Sequence, residues 1–240
     1  DFGDGEFPNS GTPGPLGEVI DKELTGIAQK GRLYTLWETL VFLPEGQKVM
    51  GRSNNVTFAD AGFFRIFPRK WLAGSPENSL ANPYTAVISL ASMQKYFPGQ
   101  EPSQVLGKEI FYYDSDTINA QITGVVADFE ENTDFLFTDF ISYSTIRSMD
   151  KENWFGLDSW GNVNSSSQLF IKKETLKTDS DLLAGLTKIS EKNLNQEGGN
   201  SRFTLQPLVE IHFDQSDGGS QTVSKVFLNG LIFIGLIILS

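Results

Sequence analysis

The sequence contains no cysteine and only one histidine, His212. The missing cysteines exclude disulfide bridges, thiolate metal sites and cysteine nucleophiles, and a single histidine excludes a metal site built from several imidazoles. The chain also has no Gly-x-Ser-x-Gly motif, no phosphate-binding loop and no dinucleotide fingerprint. ATP hydrolysis therefore cannot reside in this chain.

Basic residues are scarce relative to acidic ones. Nineteen Lys and Arg stand against thirty Asp and Glu, which gives a formal net charge of −11. This charge repels nucleic acid and anionic lipid headgroups, so nucleic-acid binding is set aside. A hydrophobic content of 39% over 240 residues is enough for one large or two small folded domains.

One long apolar run is present, at residues 226–239, and it reads VFLNGLIFIGLIIL. It contains one polar residue, Asn229, and no charge. A helix that is apolar on every side belongs in a protein core or a bilayer, and a bilayer span needs roughly 20 residues. One interpretation is that Gly230 and Gly235 allow close approach of a neighbouring helix, with which Asn229 forms a hydrogen bond. The alternative is that these small and polar residues are simply tolerated near a membrane interface. The length alone favours a buried helix.

The remaining pattern predicts a mixed α+β protein. Apolar residues spaced from Leu16 to Ile27 predict an amphipathic helix, and residues 32–43 are rich in strand formers. Thr178 and Asp181 form a helix start signal close to a capping box. The pattern over residues 168–213 is β-α-β, which fits half of a ferredoxin-like layer. Residues 91–97 predict a short helix. The other runs predict strands, at residues 55–59, 85–90, 108–113, 118–129 and 140–144.

Four stretches of the middle segment follow one another in a specific order: VTFADAGFFRIF, LAGSPENSLANPYTAVISLASMQKYF, QVLGKEIFYY and QITGVVADFEENTDFLFTDFISYSTI. This succession resembles the periplasmic core domain of MacB/FtsX-type ABC transporter permeases, especially those of Bacteroidetes-like bacteria. The resemblance implies a two-lobed α+β domain. Its parts are a porter-type βαβ lobe (1–54 and 147–222), an inserted mainly-β lobe (55–146) and the start of a transmembrane helix (223–240).

The resemblance also changes the expectation for the apolar run, which becomes the first turns of the second transmembrane helix. The residues assigned to it are Val226, Phe227, Leu228, Leu231, Ile232, Phe233, Ile234, Leu236, Ile237, Ile238 and Leu239. The domain is expected to face the periplasm from a bacterial inner membrane.

The function implied by the resemblance is mechanotransmission, in which cytoplasmic ATP hydrolysis drives a periplasmic conformational change for export or extraction of a substrate. No enzyme activity and no cofactor are expected in this chain, with ATP bound at a separate nucleotide-binding subunit or domain. The implied partners are that ATP-binding subunit, a second permease copy and the membrane. A periplasmic adaptor, an outer-membrane channel and a lipoprotein are further candidates. Efflux, lipoprotein extraction and cell-wall hydrolase regulation stay open.

The sequence also suggests two functional classes other than transport. The carboxylates Asp128, Glu130, Glu131 and Asp134 could serve as acid and base in a secreted carbohydrate-active hydrolase. The alternative reading is a solvated acidic turn, which we favour. A membrane-anchored binding module is the other class, and genome neighbourhood would distinguish it from a transporter subunit.

Three further features of the sequence are candidate sites: an acidic group, the histidine and a set of aromatic residues. A calcium site from Asp114, Asp116 and Asp128 lacks the regular ligand spacing of a calcium loop. His212 is favoured as a strand-end residue over a pH sensor. The aromatic residues of the middle segment are expected mostly in the core, with a binding surface as the alternative: Phe63, Phe64, Phe67, Trp71, Tyr96 and Phe97.

Overall fold

The structure is a computed structural model and describes residues 9–44, 48–129, 135–150, 152–195 and 201–208. The helices are α1 (Leu16–Glu23), α2 (Ala61–Ile66), α3 (Leu90–Tyr96), α4 (Ser144–Met149) and α5 (Asp179–Asn193). The strands are β1 (Ile27–Thr35), β2 (Thr39–Leu43), β3 (Lys48–Ser53), β4 (Val56–Ala59), β5 (Trp71–Ala73), β6 (Thr85–Ser89), β7 (Glu109–Tyr113), β8 (Thr117–Val126), β9 (Asp139–Ser142) and β10 (Ser167–Lys173).

All of these strands join one mixed sheet in the order β10-β1-β4-β9-β6-β8-β7-β2-β3, with β5 beside β8. The pairs β4–β9 and β6–β8 are parallel and the others are antiparallel. A large mixed sheet with few helices confirms the predicted α+β class. The predicted division into two lobes stays a prediction, and the strand order crosses it. β2 and β3, from the predicted outer lobe, lie beside β7 of the predicted inserted lobe.

A long bent hairpin shapes the sheet. β1 pairs with β4 and β2 pairs with β3, so the chain from β1 to β2 runs antiparallel to the chain from β3 to β4. The run of strand formers at residues 32–43 therefore contributes to two strands, with a break between them. The break lies at Trp37 and Glu38, where Glu38 has a positive φ of 49°, a conformation that a regular strand does not accommodate.

The sheet curls around one large hydrophobic cluster because of this bend. Strands β2, β4, β6, β7, β8 and β9 contribute buried residues to the cluster, and α3 and α4 cover it with Met93, Tyr96 and Ile146. The burial pattern of β8 alternates between exposed and buried up to Ile122 and is then continuously buried at its end. A strand covered on both faces loses the two-residue alternation of a half-exposed one.

A smaller outer layer lies against β10 and β1. Leu16 and Ile20 of α1 pack with Leu186 and Ile189 of α5, and Leu169 of β10 packs against them. α1 ends at Glu23, earlier than predicted. The residue after it, Leu24, is extended, and Ile27 opens β1 instead of extending the helix.

The predicted start of α5 is confirmed. The Thr178 side chain accepts a hydrogen bond from the Asp181 amide at 3.1 Å, and the Asp181 carboxylate accepts one from the Thr178 amide. The strand predicted over residues 202–213 is not found in its described part, because residues 202–208 form no strand. No helix within the described ranges is long and apolar enough to cross a bilayer.

Candidate functional site

The candidate site is the outer layer, to which the two outermost described parts of the chain both connect. We call residues 9–15 the leading segment and residues 201–208 the trailing segment. The leading segment runs beside the start of β10. The Thr12 amide donates to the Ser167 carbonyl at 2.7 Å, and the Asn9 side-chain amide reaches the Val163 carbonyl at 3.4 Å. These bonds fix the segment to the sheet immediately before α1.

Two glycines allow the leading segment to lie this close. A Cβ on Gly11 would stand 1.9 Å from the carbonyl oxygen of Asn164, and a Cβ on Gly14 would stand 2.5 Å from the Cα of Leu157. Both neighbours are backbone atoms, which cannot move aside as a side chain can. The glycines of the leading segment thus permit a tight contact with the neighbouring backbone.

The trailing segment reaches the same layer from the other side. Phe203 and Leu205 pack against the cluster formed by α1 and α5. The Ser190 hydroxyl on α5 donates to the Ser201 carbonyl at 2.5 Å, and the Asn195 side chain accepts from the Ser201 amide at 2.9 Å. The leading segment thus leads directly into α1, and the trailing segment packs against the pair formed by α1 and α5.

Ion pairs connect α1 to three neighbouring elements. Asp21 pairs with Lys30 of β1 at 2.5 Å, Glu18 with Arg147 of α4 at 3.1 Å, and Glu23 with Lys192 of α5 at 2.6 Å. Side chains as exposed as Glu18 and Arg147 contribute about 0–1 kcal/mol per pair. These ion pairs therefore orient α1 more than they stabilise the fold.

A cleft of about 450 Å³ separates α1 from α4. Arg32 and Asp60 lie in its lining, with a 3.0 Å contact between the Arg32 Nε and the Asp60 carboxylate. The Arg32 guanidinium also stacks over the Tyr143 ring, 4.4 Å from its centroid. Burial raises the pKa of the Tyr143 hydroxyl, and the nearby Arg32 partly offsets this. The cleft thus separates the outer layer from the curled part of the sheet, and the Glu18–Arg147 pair bridges it.

A buried carboxylate with a raised pKa lies elsewhere, inside the curled sheet. Asp139 is fully buried and accepts hydrogen bonds from three hydroxyls, those of Ser92 at 2.5 Å, Tyr96 at 2.9 Å and Tyr112 at 3.0 Å. Burial raises the pKa of Asp139, while the three hydroxyl donors oppose that rise. Burial also raises the pKa of Tyr112. A group with no solvent access cannot meet a substrate, so this cluster organises the core.

The carboxylates considered for hydrolysis are not assembled into a site by the described residues. Asp128 accepts a hydrogen bond from the Ala91 amide at 3.1 Å, which places it at the N-terminus of α3 as a cap. Glu130, Glu131 and Asp134 lie outside the described residues.

The calcium site considered from the sequence is not formed. In the described part of the chain, no three acidic or histidine side chains gather in a way that could hold a metal ion. Asp114 and Asp116 lie in the turn between β7 and β8, where Asp116 accepts from the Thr117 amide at 2.7 Å.

The core assignment of the aromatic residues is confirmed for most of them. Phe63, Phe64, Tyr96 and Phe97 are buried, whereas Phe67 and Trp71 are partly exposed at the edge of a second cluster. Gly62 and Gly31 let α2 lie directly on β1, which places Phe63 in that cluster. His212, Asn229, Gly230, Gly235 and the residues assigned to the start of a transmembrane helix all lie outside the described residues.

Sequence reasoning did not find Asp139 or the Arg32–Asp60 pair. Asp139 had a signal, since an acid adjoining the run Phe140-Ile141-Ser142 sits where a buried strand begins. Arg32 and Asp60 are 28 positions apart and carry no local pattern that would join them.

The comparisons with known proteins agree with this architecture. Residues 9–176, more than half of the chain, match the family of MacB-like periplasmic core domains. A crystal structure of a domain of a Porphyromonas gingivalis protein, named as a permease, is similar in fold with a TM-score of 0.63 and 18% sequence identity. The alignment covers 86% of this chain and 92% of that domain. A search of curated proteins gives no match.

Proposed function

The chain belongs to the family of MacB-like periplasmic core domains, and we propose that it is the extracytoplasmic domain of an ABC transporter permease subunit. In this proposal the domain transmits motion and makes or breaks no covalent bond. ATP hydrolysis on the cytoplasmic side moves membrane helices, and these displace the domain to export or extract a substrate. The domain faces the periplasm from the inner membrane.

The observation that carries the proposal is the convergence of the leading and trailing segments on the outer layer. The leading segment contacts β10 through the Thr12–Ser167 hydrogen bond. The trailing segment contacts α5 through the Ser190–Ser201 hydrogen bond. If membrane helices join the domain through these segments, their displacement reaches the same helical pair. A packed layer responds to such a displacement as a rigid body.

The path from the outer layer into the curled sheet follows two routes. One is the hydrogen-bonded sheet, because β1 pairs with both β10 and β4. The other is the Glu18–Arg147 ion pair across the cleft. The continuous sheet would carry the displacement, and the half-exposed ion pair would break and re-form at little energetic cost.

The proposed partners follow from this role. An ATP-binding subunit or domain supplies the energy, and a second permease copy forms the dimer that moves. A periplasmic adaptor, an outer-membrane channel or a lipoprotein would receive the motion. The hydrolase considered from the sequence gains no support, since Asp128 is engaged as a helix cap.

A distance measurement tests the proposal in the assembled transporter. The chain has no native cysteine, so Leu176→Cys places a single spin label on a side chain that is 96% exposed. Double electron–electron resonance then measures the distance between the labels on the two permease copies, with and without trapping of the ATPase by vanadate. We expect the distance distribution to shift by several ångströms on trapping.

The control is a transporter whose ATPase subunit cannot hydrolyse ATP, in which adding ATP and vanadate should leave the distribution unchanged. An identical distribution in the trapped and nucleotide-free wild type would contradict mechanotransmission by this domain.

A further inference from the structure

Two tryptophan side chains are unusually exposed. Trp37 is 63% exposed at the bend of the long hairpin, and Trp154 is 74% exposed in the loop between α4 and β10. Large aromatic side chains left in water are rare unless something covers them, and Trp is enriched among the residues that dominate interface energies. The permease role assigns neither residue.

Each indole lies close in sequence to one of two aromatic rings that are in contact, Tyr34 and Phe155. Tyr34 is on β1, three positions before Trp37, and its ring packs edge-on against Phe155 with a centroid distance of 5.2 Å. Phe155 directly follows Trp154. The Trp37 indole N–H donates to the Ser166 hydroxyl at 3.2 Å, which ties the bend to the start of β10.

Three carboxylates lie near these aromatic residues. The charges of Asp114 and Asp150 contribute, after burial, to the raised pKa of Tyr34, which places both near its hydroxyl. The pairing of Leu40 with Tyr113 brings Glu38 and Asp114 to the same end of the sheet. No ion pair among the described residues involves Glu38, Asp114 or Asp150.

The Arg52 side chain, which lies next to Glu38, is turned to the backbone. Arg52 donates to the Glu38 carbonyl oxygen at 2.7 Å. We call Trp37, Glu38, Asp114, Asp150 and Trp154 the tryptophan surface. It combines exposed aromatic faces with carboxylates that have no cationic partner in the described part of the chain.

We propose that the tryptophan surface binds a basic segment of a partner protein, one that presents arginine or lysine side chains. A guanidinium or ammonium group interacts favourably with an indole face and with a carboxylate, so one side chain type satisfies both features of this surface. Arginine suits it best, because its planar group both stacks and donates two parallel hydrogen bonds. An anionic membrane surface would be repelled by the same carboxylates.

A peptide titration tests this with the 240-residue chain. The probe is a ten-residue peptide of alternating arginine and serine, with glutamate replacing arginine in the negative control. Binding is measured by calorimetry and by tryptophan emission at physiological salt. We expect Trp37→Ala with Trp154→Ala to raise the Kd at least tenfold, and Glu38→Gln with Asp114→Asn to raise it about tenfold.

The matched control neutralises two exposed acids elsewhere, Glu174→Gln with Glu191→Gln, and should change the Kd by less than twofold. Equal weakening by this control would overturn the proposal, since attraction would then be diffuse. An unchanged Kd in the double tryptophan variant would overturn it as well. So would sedimentation showing that wild type dimerises through this surface and that the tryptophan variant is monomeric, because the occupant would then be a second copy.

Discussion

The Asp139 carboxylate accepts a hydrogen bond from the Tyr112 hydroxyl at 3.0 Å in a site closed to solvent. The two residues come from strands that are not neighbours, because β6 and β8 lie between β9 and β7. With Ser92 and Tyr96 of α3, the pair connects the helix and both sides of the curled sheet. A buried carboxylate requires such donors, since desolvation of a polar group without partners is costly.

Asp139→Asn should alter how stability depends on pH. Because burial raises the folded-state pKa of Asp139 above its usual value of about 3.9, its stabilising contribution is complete below that value and is lost as pH rises towards the folded-state pKa. The difference in unfolding free energy, wild type minus variant, should fall above pH 4 by at most about 1.4 kcal/mol per pH unit. Urea denaturation from pH 4 to 8 measures it. A difference that grows with pH would mean that the hydroxyl donors outweigh burial.

Tyr112→Phe should destabilise the fold by about 1–3 kcal/mol, because it removes one of three hydroxyl donors from a buried carboxylate. Tyr113→Phe is the matched control on the same strand. Its side chain is 43% exposed, so its loss of a hydroxyl should cost less than about 0.5 kcal/mol. Chemical denaturation of both variants makes the comparison, and equal effects would refute the role given to Tyr112.

Gly62→Ala should be among the most disruptive single substitutions in the chain. A Cβ at this position would stand 1.7 Å from the Lys30 carbonyl oxygen, so α2 would have to move away from β1. We expect a loss of about 3 kcal/mol or more in unfolding free energy. Gly161→Ala, with its nearest neighbour the Ser159 hydroxyl at 3.9 Å, should stay within about 0.5 kcal/mol of wild type. Thermal unfolding of the two variants distinguishes them, and a well-folded Gly62→Ala protein would contradict the packing described.

Thr178→Ala should cost about 1 kcal/mol by removing the N-cap of α5, since the Thr178 oxygen accepts from the Asp181 amide. Ser180→Ala, at an exposed position in the first turn of the same helix, is the control and should be nearly neutral. Denaturant midpoints of both proteins provide the measurement. A cost at Ser180 equal to that at Thr178 would argue against the cap.

The sequence predicts those parts of the fold that depend on neighbours along the chain. The capping box at Thr178 and the strand-to-helix step from β6 to α3 both follow from local pattern, and both are confirmed. β3 was missed because Gly51 and its charged residues obscure a strand signal, and it is ordered by pairing with β2.

The features that shape the candidate site depend on contacts between distant residues. The bend at Glu38 exists because the hairpin belongs to two parts of one curled sheet, a constraint with no local signature. Residues 144–149 form α4, although Ser144 was predicted to end a strand. The Glu18–Arg147 pair joins residues 129 positions apart, so the cleft it bridges could not be located from the sequence.

The central claim is that motion of the membrane helices enters the domain through the leading and trailing segments. A flexible six-residue glycine–serine insertion immediately before Asn9 keeps every contact of residues 9–15 and adds slack of roughly 13 Å. The same insertion after Gly99, in the turn that follows α3, is the control. The measurement is the vanadate-dependent distance shift between Leu176→Cys labels in the assembled transporter. The account predicts that the insertion before Asn9 clearly reduces the shift while ATP hydrolysis continues, because only the trailing segment then transmits the full displacement, and that the insertion after Gly99 preserves both. A full shift in the transporter carrying the insertion before Asn9 would contradict it.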